Sequence, residues 1–337
     1  MQAVKRIVQY CSIQQNETIL IVYDASTRFL AQPLEEAIKQ TNTVLSIDLD
    51  NYKRPLTHLP QQLKEQVLKH DVVLALIEKK KDAHTNETAF RSELLKTCEE
   101  HGGRFGSLWG ITPHILESAY RVDPQELKAF TQKVFERAQQ FKKVQITDDQ
   151  GTNLHIEFDK NYSWIISDGF IKRRKTRNVM PSEIYTYPSK VNGVLVITGT
   201  YSFLLNIPGV TVDALKETPL TWVIKESRIV DVDCKNTRIE EEVKKLLLQV
   251  ENADRIGEFG IGTNYGIKEL LGNVMHDEKF PGIHIAHGHG YPNLTKAPYT
   301  CDVHFDAVLI KPTVVDEETG EVLLEQGCFK NSFEVIR

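Results

Sequence analysis

Cysteine is scarce and unpatterned in this chain. The five residues, Cys11, Cys98, Cys234, Cys301 and Cys328, are widely scattered and form no Cys-x-x-Cys pair. An odd, dispersed set argues against a disulfide framework and a thiolate zinc site, and fits free thiols in a reducing cytosol. Long apolar runs are also missing: nothing approaches the roughly 18–20 residues that a membrane helix needs. The opening stretch, MQAVKRIVQYCSIQQNETILIVY, has neither the apolar core nor the small-residue cleavage signal of a secretory leader. Excess positive charge is absent. The formal net charge of −5 argues against non-specific binding to nucleic acid or anionic membranes. No internal repeat or low-complexity segment is visible. With 41% hydrophobic and 26% charged residues, the composition is that of a globular protein and sets aside disordered and fibrous classes. The expected setting is soluble and cytoplasmic.

At 337 residues the chain is long enough for two domains. Its first half alternates helix and strand. ILIVY (19–23) is a short apolar run suited to a strand buried on both faces, and TVLSIDL (43–49) and VVLALI (72–77) are further strand candidates. A polar corner from Asp24 to Thr27 opens a helix that carries Leu30, Leu34 and Ile38 on one face. Asp123-Pro124-Gln125-Glu126 reads as a helix start, with proline in the first turn and a carboxylate three residues after the cap. This rhythm implies a mostly parallel sheet covered by helices. It changes near residue 142, where KVQIT and LHIEF flank a turn at Asp148–Gly151 and read as a hairpin. Further strands are expected around 184–187, 194–198, 221–224 and 308–310, with a helix over 237–250. The expected fold is therefore an α/β parallel-sheet domain, residues 1–142, followed by an α+β, mixed-sheet, barrel-like metal-binding domain, residues 143–337.

The chemistry-bearing residues gather in the second half: Glu183, Glu258, His284, Tyr291, His304 and Asp306. Carboxylate, imidazole and phenolate are ligands for Zn²⁺, Co²⁺ or Mn²⁺. Three carboxylates and two imidazoles exceed what one tetrahedral ion uses, which points to a two-metal hydrolase with a water activated between the ions. In DVHFDAVLI, His304 and Asp306 lie two apart on a strand and share a face. Alone the pair is weak, since it also opens the two-histidine, one-carboxylate triad of non-haem iron oxygenases. In IHIAHGHGYP, His284 interrupts a buried strand and is followed by His287, His289 and Tyr291 in a glycine-rich segment. Glu258 sits among Gly257, Gly260 and Gly262, and Glu183 follows a proline turn. Taken singly, each glutamate also reads as an ordinary surface charge. Two further motifs are weaker still. Gly260-Ile261-Gly262 is an incomplete phosphate-loop pattern, and Lys172-Arg173-Arg174-Lys175 reads as a solvated basic loop.

Read together, NVMPSEIYTYP with the following NGVLVITG, then IGEFGIGTN, HDEKFPGIHIAHGHGYP and HFDAVL resemble the thermophilic-type metallo-aminopeptidases, the aminopeptidase T and aminopeptidase S family. The resemblance covers most of residues 145–325. It is looser in the N-terminal half, around His84 and GGRFGSLWGIT (102–112). It implies two divalent ions (Zn, Co or Mn) held by Glu183, Glu258, His284, Tyr291, His304 and Asp306. It also implies catalytic roles for Glu258, Tyr291 and Glu183, a peptide or small-molecule substrate, and a homodimer. The chain departs from the family pattern in its shorter length, in the compressed stretch between Tyr291 and His304, and at His287 and His289, where a hydrophobic and a small residue are usual. A second branch of the same fold consists of mononuclear iron dioxygenases that open dihydroxypyridine rings. They keep the His-x-Asp pair, but carry histidine in place of Glu258 and no acid in place of Glu183. The expected function is an aminopeptidase, with the dioxygenase or another small-molecule metalloenzyme as the alternative and a non-catalytic binding protein behind both.

Overall fold

The computed structural model describes residues 2–78, 87–173, 178–211, 213–330 and 333. His84, Arg174 and Lys175 lie outside the described residues; Lys172 and Arg173 are exposed. The chain forms two compact units, Met1–Pro124 with Gly169–Pro181, and Gln125–Asp168 with Ser182–Arg337. This division differs from a single cut near residue 142 for two physical reasons. The helix Pro124–Ala138 buries Val134 and Ala138 in the core of the second unit. The segment after Gly169 returns to the first unit, where the Ile171 amide donates to the Tyr10 carbonyl at 2.9 Å and the Val179 amide to the Ser107 carbonyl at 3.1 Å.

The first unit is built on a parallel sheet of β1 (Thr18–Tyr23), β2 (Thr43–Asp48), β3 (Val72–Leu76) and β4 (Arg104–Ser107), in the order β2-β1-β3-β4. The three expected runs are its first three strands. Every residue of β3 is buried, as expected for a strand covered on both faces. Gly102 ends the helix Thr88–His101 at φ 93°, a left-handed cap that suits glycine. The expected polar corner is a reciprocal cap: the Asp24 side chain accepts from the Ser26 amide, while the Thr27 hydroxyl accepts from the Asp24 amide. Arg54 joins this corner by bonding Glu87 and Asp24.

In the second unit, β5 (Lys143–Thr147) and β6 (Asn153–Glu157) form the expected hairpin. They are followed by β7 (Ile165–Ser167), β8 (Glu183–Thr186), β9 (Lys190–Ile197), β10 (Leu220–Lys225) and β11 (Arg228–Cys234). After the helix Thr237–Gln249 come β12 (Ile256–Gly262), β13 (Gly282–Gly288) and β14 (His304–Val308). The last strands are β15 (Thr313–Asp316), β16 (Val322–Glu325) and β17 (Cys328–Phe329). Eight strands form one sheet, in the order β11-β10-β9-β6-β5-β15-β16-β17, and five form another, in the order β14-β13-β12-β8-β7. The isolated bridges Tyr201–Ala307 and Arg228–Arg255 link the two sheets. One apolar core, including Trp222, Phe259, Ile261, Ile283 and Ile285, draws on both. Among the described residues, no helix is long and apolar enough to cross a membrane.

Candidate metal centre

Four adjacent strands of the five-stranded sheet, β14, β13, β12 and β8, carry the five expected nitrogen and carboxylate ligands. Antiparallel register sets them against small residues. Glu183 lies opposite Gly262, His284 opposite Gly260, His304 opposite Gly288, and Ala286 stands between Glu258 and Asp306. Because side chains alternate along a strand, these ligands share one face while Phe259, Ile261, Ile283 and Ile285 turn to the core. The small partners make room. A Cβ on Gly260 would lie 1.9 Å from His284 Nε2, so only glycine admits the imidazole there. The glycine-rich segment around Glu258 is therefore a wholly buried strand and not a loop. A register shift between Ile256 and Glu258 marks a bulge beside the centre.

Glu258 stands in the middle. Its Oε1 lies 3.1 Å from His284 Nε2, and its Oε2 lies 3.9 Å from His304 Nε2. Glu183 Oε2 reaches within 3.5 Å of His284 Nε2, and Asp306 Oδ1 within 3.0 Å of His304 Nε2. Glu258, His304 and Asp306 each offer a ligand atom within 4.8 Å of the others'. His304 Nδ1 donates to the His289 carbonyl at 2.8 Å, which fixes the ring and leaves Nε2 facing the carboxylates. This is the outer-shell bond typical of a metal-binding histidine.

The electrostatics call for cations. Burial disfavours the charged form of both imidazoles. Yet the hydrogen bond to Glu258, with Glu183 nearby, raises His284 to about 9, and Asp306 raises His304 to about 10. Burial alone would raise Asp306, but the His304 charge holds it well below the usual carboxylate range. Glu183 Oε2 and His284 Nδ1 are buried without a hydrogen-bond partner among the described residues. Buried polar atoms of this kind are uncommon unless something else meets them. An oxygen and nitrogen donor set around such atoms fits a divalent ion of the Zn, Co or Mn type.

Tyr291 packs beside the cluster, its ring 4.8 Å from that of His304. Its backbone is left-handed, at φ 53°, and its amide donates to His289 Nδ1 at 3.1 Å. Burial, then the Glu258 and Asp306 charges, hold its phenol well above the ordinary value, in the protonated form. His287 points the other way, into the core. Its Nδ1 donates to the Ala253 carbonyl at 2.6 Å, its Nε2 accepts from the Tyr201 hydroxyl at 2.7 Å, and burial lowers it to about 4.

Two nearby residues escaped the sequence reading. Lys279 Nζ lies 2.5 Å from Glu183 Oε1 and also bonds Glu278. Burial, with Glu183 adding to it against Lys279, pushes the Glu278 carboxyl upward. In HDEKF no spacing or motif sets these two charges apart. The one clue to their burial was their position just ahead of the apolar strand IHIA.

Two solved structures share the fold. One is 2,5-dihydroxypyridine dioxygenase from Pseudomonas putida KT2440, at TM-score 0.66 and 11% identity, covering 99% of this chain and 98% of that one. The other is wild-type AmpT from Thermus thermophilus, at TM-score 0.64 and 15% identity, covering 98% and 99%. No curated protein sequence gives a significant match. The family model for thermophilic metalloprotease (M29) matches residues 123–303, which include Glu183, Glu258, His284 and Tyr291, four of the six expected ligands; His304 and Asp306 follow shortly after its end.

 The match spans more than half of the 337 residues, and the chain belongs to the thermophilic metalloprotease (M29) family, as a metal-dependent peptidase.

Proposed function

We propose that the chain is an aminopeptidase, which removes residues from the free N-terminus of peptides with a water activated by two divalent ions. The observation that supports this most is the convergence of Glu183, Glu258, His284, His304 and Asp306 on one face of one sheet. Glu258, His304 and Asp306 would hold a first ion. Glu183, His284 and the other oxygen of Glu258 form a second subsite. Bound ions of this type supply a nucleophilic water near neutral pH and polarise the scissile carbonyl. Glu258 suits a bridging role because its two oxygens face different histidines. The protonated Tyr291 phenol donates a hydrogen bond to the oxyanion that develops on the carbonyl, a contribution of about 3–4 kcal/mol for donors of this kind. The four buried cysteines fit a cytoplasmic setting, and a homodimer belongs to the same reading.

The test is hydrolysis of unblocked and N-acetylated forms of the same short peptides. Activity on the unblocked forms, lost on chelation and restored by Co²⁺, Zn²⁺ or Mn²⁺, is the expected result. Equal cleavage of acetylated peptides would rule out the exopeptidase reading. A second reading, a one-iron ring-cleaving dioxygenase, draws support from the Glu258–His304–Asp306 group, which is sufficient for a single ion. Oxygen uptake with a dihydroxypyridine and Fe²⁺, in the absence of peptide hydrolysis, would favour it.

A further inference from the structure

Glu183 is divided between two partners. Its Oε1 meets the Lys279 ammonium at 2.5 Å, while its Oε2 faces His284 without a hydrogen bond of its own. Lys279 is almost wholly buried, its side chain 6% exposed, and it also bonds Glu278. Its backbone is fixed: its amide donates to the His276 carbonyl at 3.0 Å, and its carbonyl accepts from the Asn264 amide at 2.9 Å. An ammonium is taken out of water only where carboxylates compensate it. Here one of those carboxylates is a proposed metal ligand.

We propose that Lys279 is a resident cation that competes with the second metal ion for Glu183, so that the two subsites fill unequally. This rests on the ligand assignment under Proposed function. The Glu258–His304–Asp306 subsite shares no ion pair with Lys279 among the described residues, and fills first. The Glu183–His284 subsite fills weakly, because the ammonium neutralises part of the carboxylate charge and repels an incoming dication. The flexible four-carbon stem allows the ammonium to retreat to Glu278 alone, which frees Glu183 when a second ion enters.

The experiment is calorimetric titration of the chelator-stripped, full-length protein with Zn²⁺ and with Co²⁺, the latter also followed by its visible absorption. The wild-type protein should bind in two separate steps. In Lys279→Met and Lys279→Gln the second step should tighten by roughly tenfold or more, with the first unchanged. Two equal steps in the wild type, or an unchanged second step in both variants, would overturn the proposal. Asp306→Asn tests the underlying assignment separately, since it should abolish the first step. If that step survives, the ligand assignment fails. If it is lost while the lysine variants behave as wild type, only the role of Lys279 fails. Thermal unfolding of each variant confirms that it is folded before titration.

Discussion

Glu258 and His287 are both buried on neighbouring strands, yet they face opposite sides of the sheet. Their substitutions should therefore separate cleanly. Glu258→Gln keeps the size but removes the charge between the two histidines. It should lower turnover by about 10²-fold or more and weaken metal binding. His287→Leu should leave metal content unchanged, because its ring bonds Tyr201 and Ala253 in the core. It should cost about 1–3 kcal/mol near neutral pH by leaving those partners unpaired. The pH dependence has a definite sign. His287 titrates near 6.5 when unfolded and near 4 in the fold, so between those values the unfolded chain holds a proton that the native chain does not. Wild-type stability should fall as pH drops from 6.5 to 4, by up to roughly 3 kcal/mol from this group. The deficit of His287→Leu should shrink over the same window. Denaturant unfolding of the chelated proteins at pH 7 and pH 5 measures it, and a constant difference would refute the assignment.

At the scale of the element, β12 shows why part of the centre was hidden. Glycine normally weakens a strand by about 0.5–1 kcal/mol, and a segment with three of them reads as loop. Here Gly260 is required because His284 occupies the space its side chain would take. Gly260→Ala should displace His284, lower metal affinity by about tenfold or more, and destabilise the sheet by about 1–3 kcal/mol. Normal metal binding in a folded Gly260→Ala protein would contradict this packing. The His-x-Asp pair was legible because two-residue spacing alone puts both side chains on one face. The meeting of Glu183 with Glu258 was not, because it depends on β8 pairing with β12 across a gap of some seventy residues, which periodicity does not encode. Lys279 was missed for the same reason, as its partner Glu183 is distant in sequence. Three of the four strands of the first unit's parallel sheet were read directly as local apolar runs, whereas β4, RFGS, carries no such run and was missed. The return of residues 169–181 to that unit leaves no such local signal.

For the whole molecule, the consequence of this arrangement is a stability that depends on metal in one unit. The second unit buries Glu183, Glu258 and Asp306 together on one sheet face, with His284, His304 and Lys279 as their ion-pair partners among the described residues. An ion that binds the native state and not the unfolded chain stabilises it by about 2.7 kcal/mol when its free concentration is a hundred times the dissociation constant. The first unit has its own apolar core, built from residues such as Leu20, Val73 and Phe105, and holds none of the proposed ligands. Chelation should therefore speed amide hydrogen exchange most in β12, β13 and β14, and least in β1 and β3. Re-addition of Zn²⁺ or Co²⁺ should restore protection in those three strands, to an extent set by the free metal concentration. Hydrogen exchange read by mass spectrometry, with and without chelator, resolves the strands separately. Equal loss of protection in both units, or none in either, would mean that the carboxylate face is not where metal binding and folding are coupled.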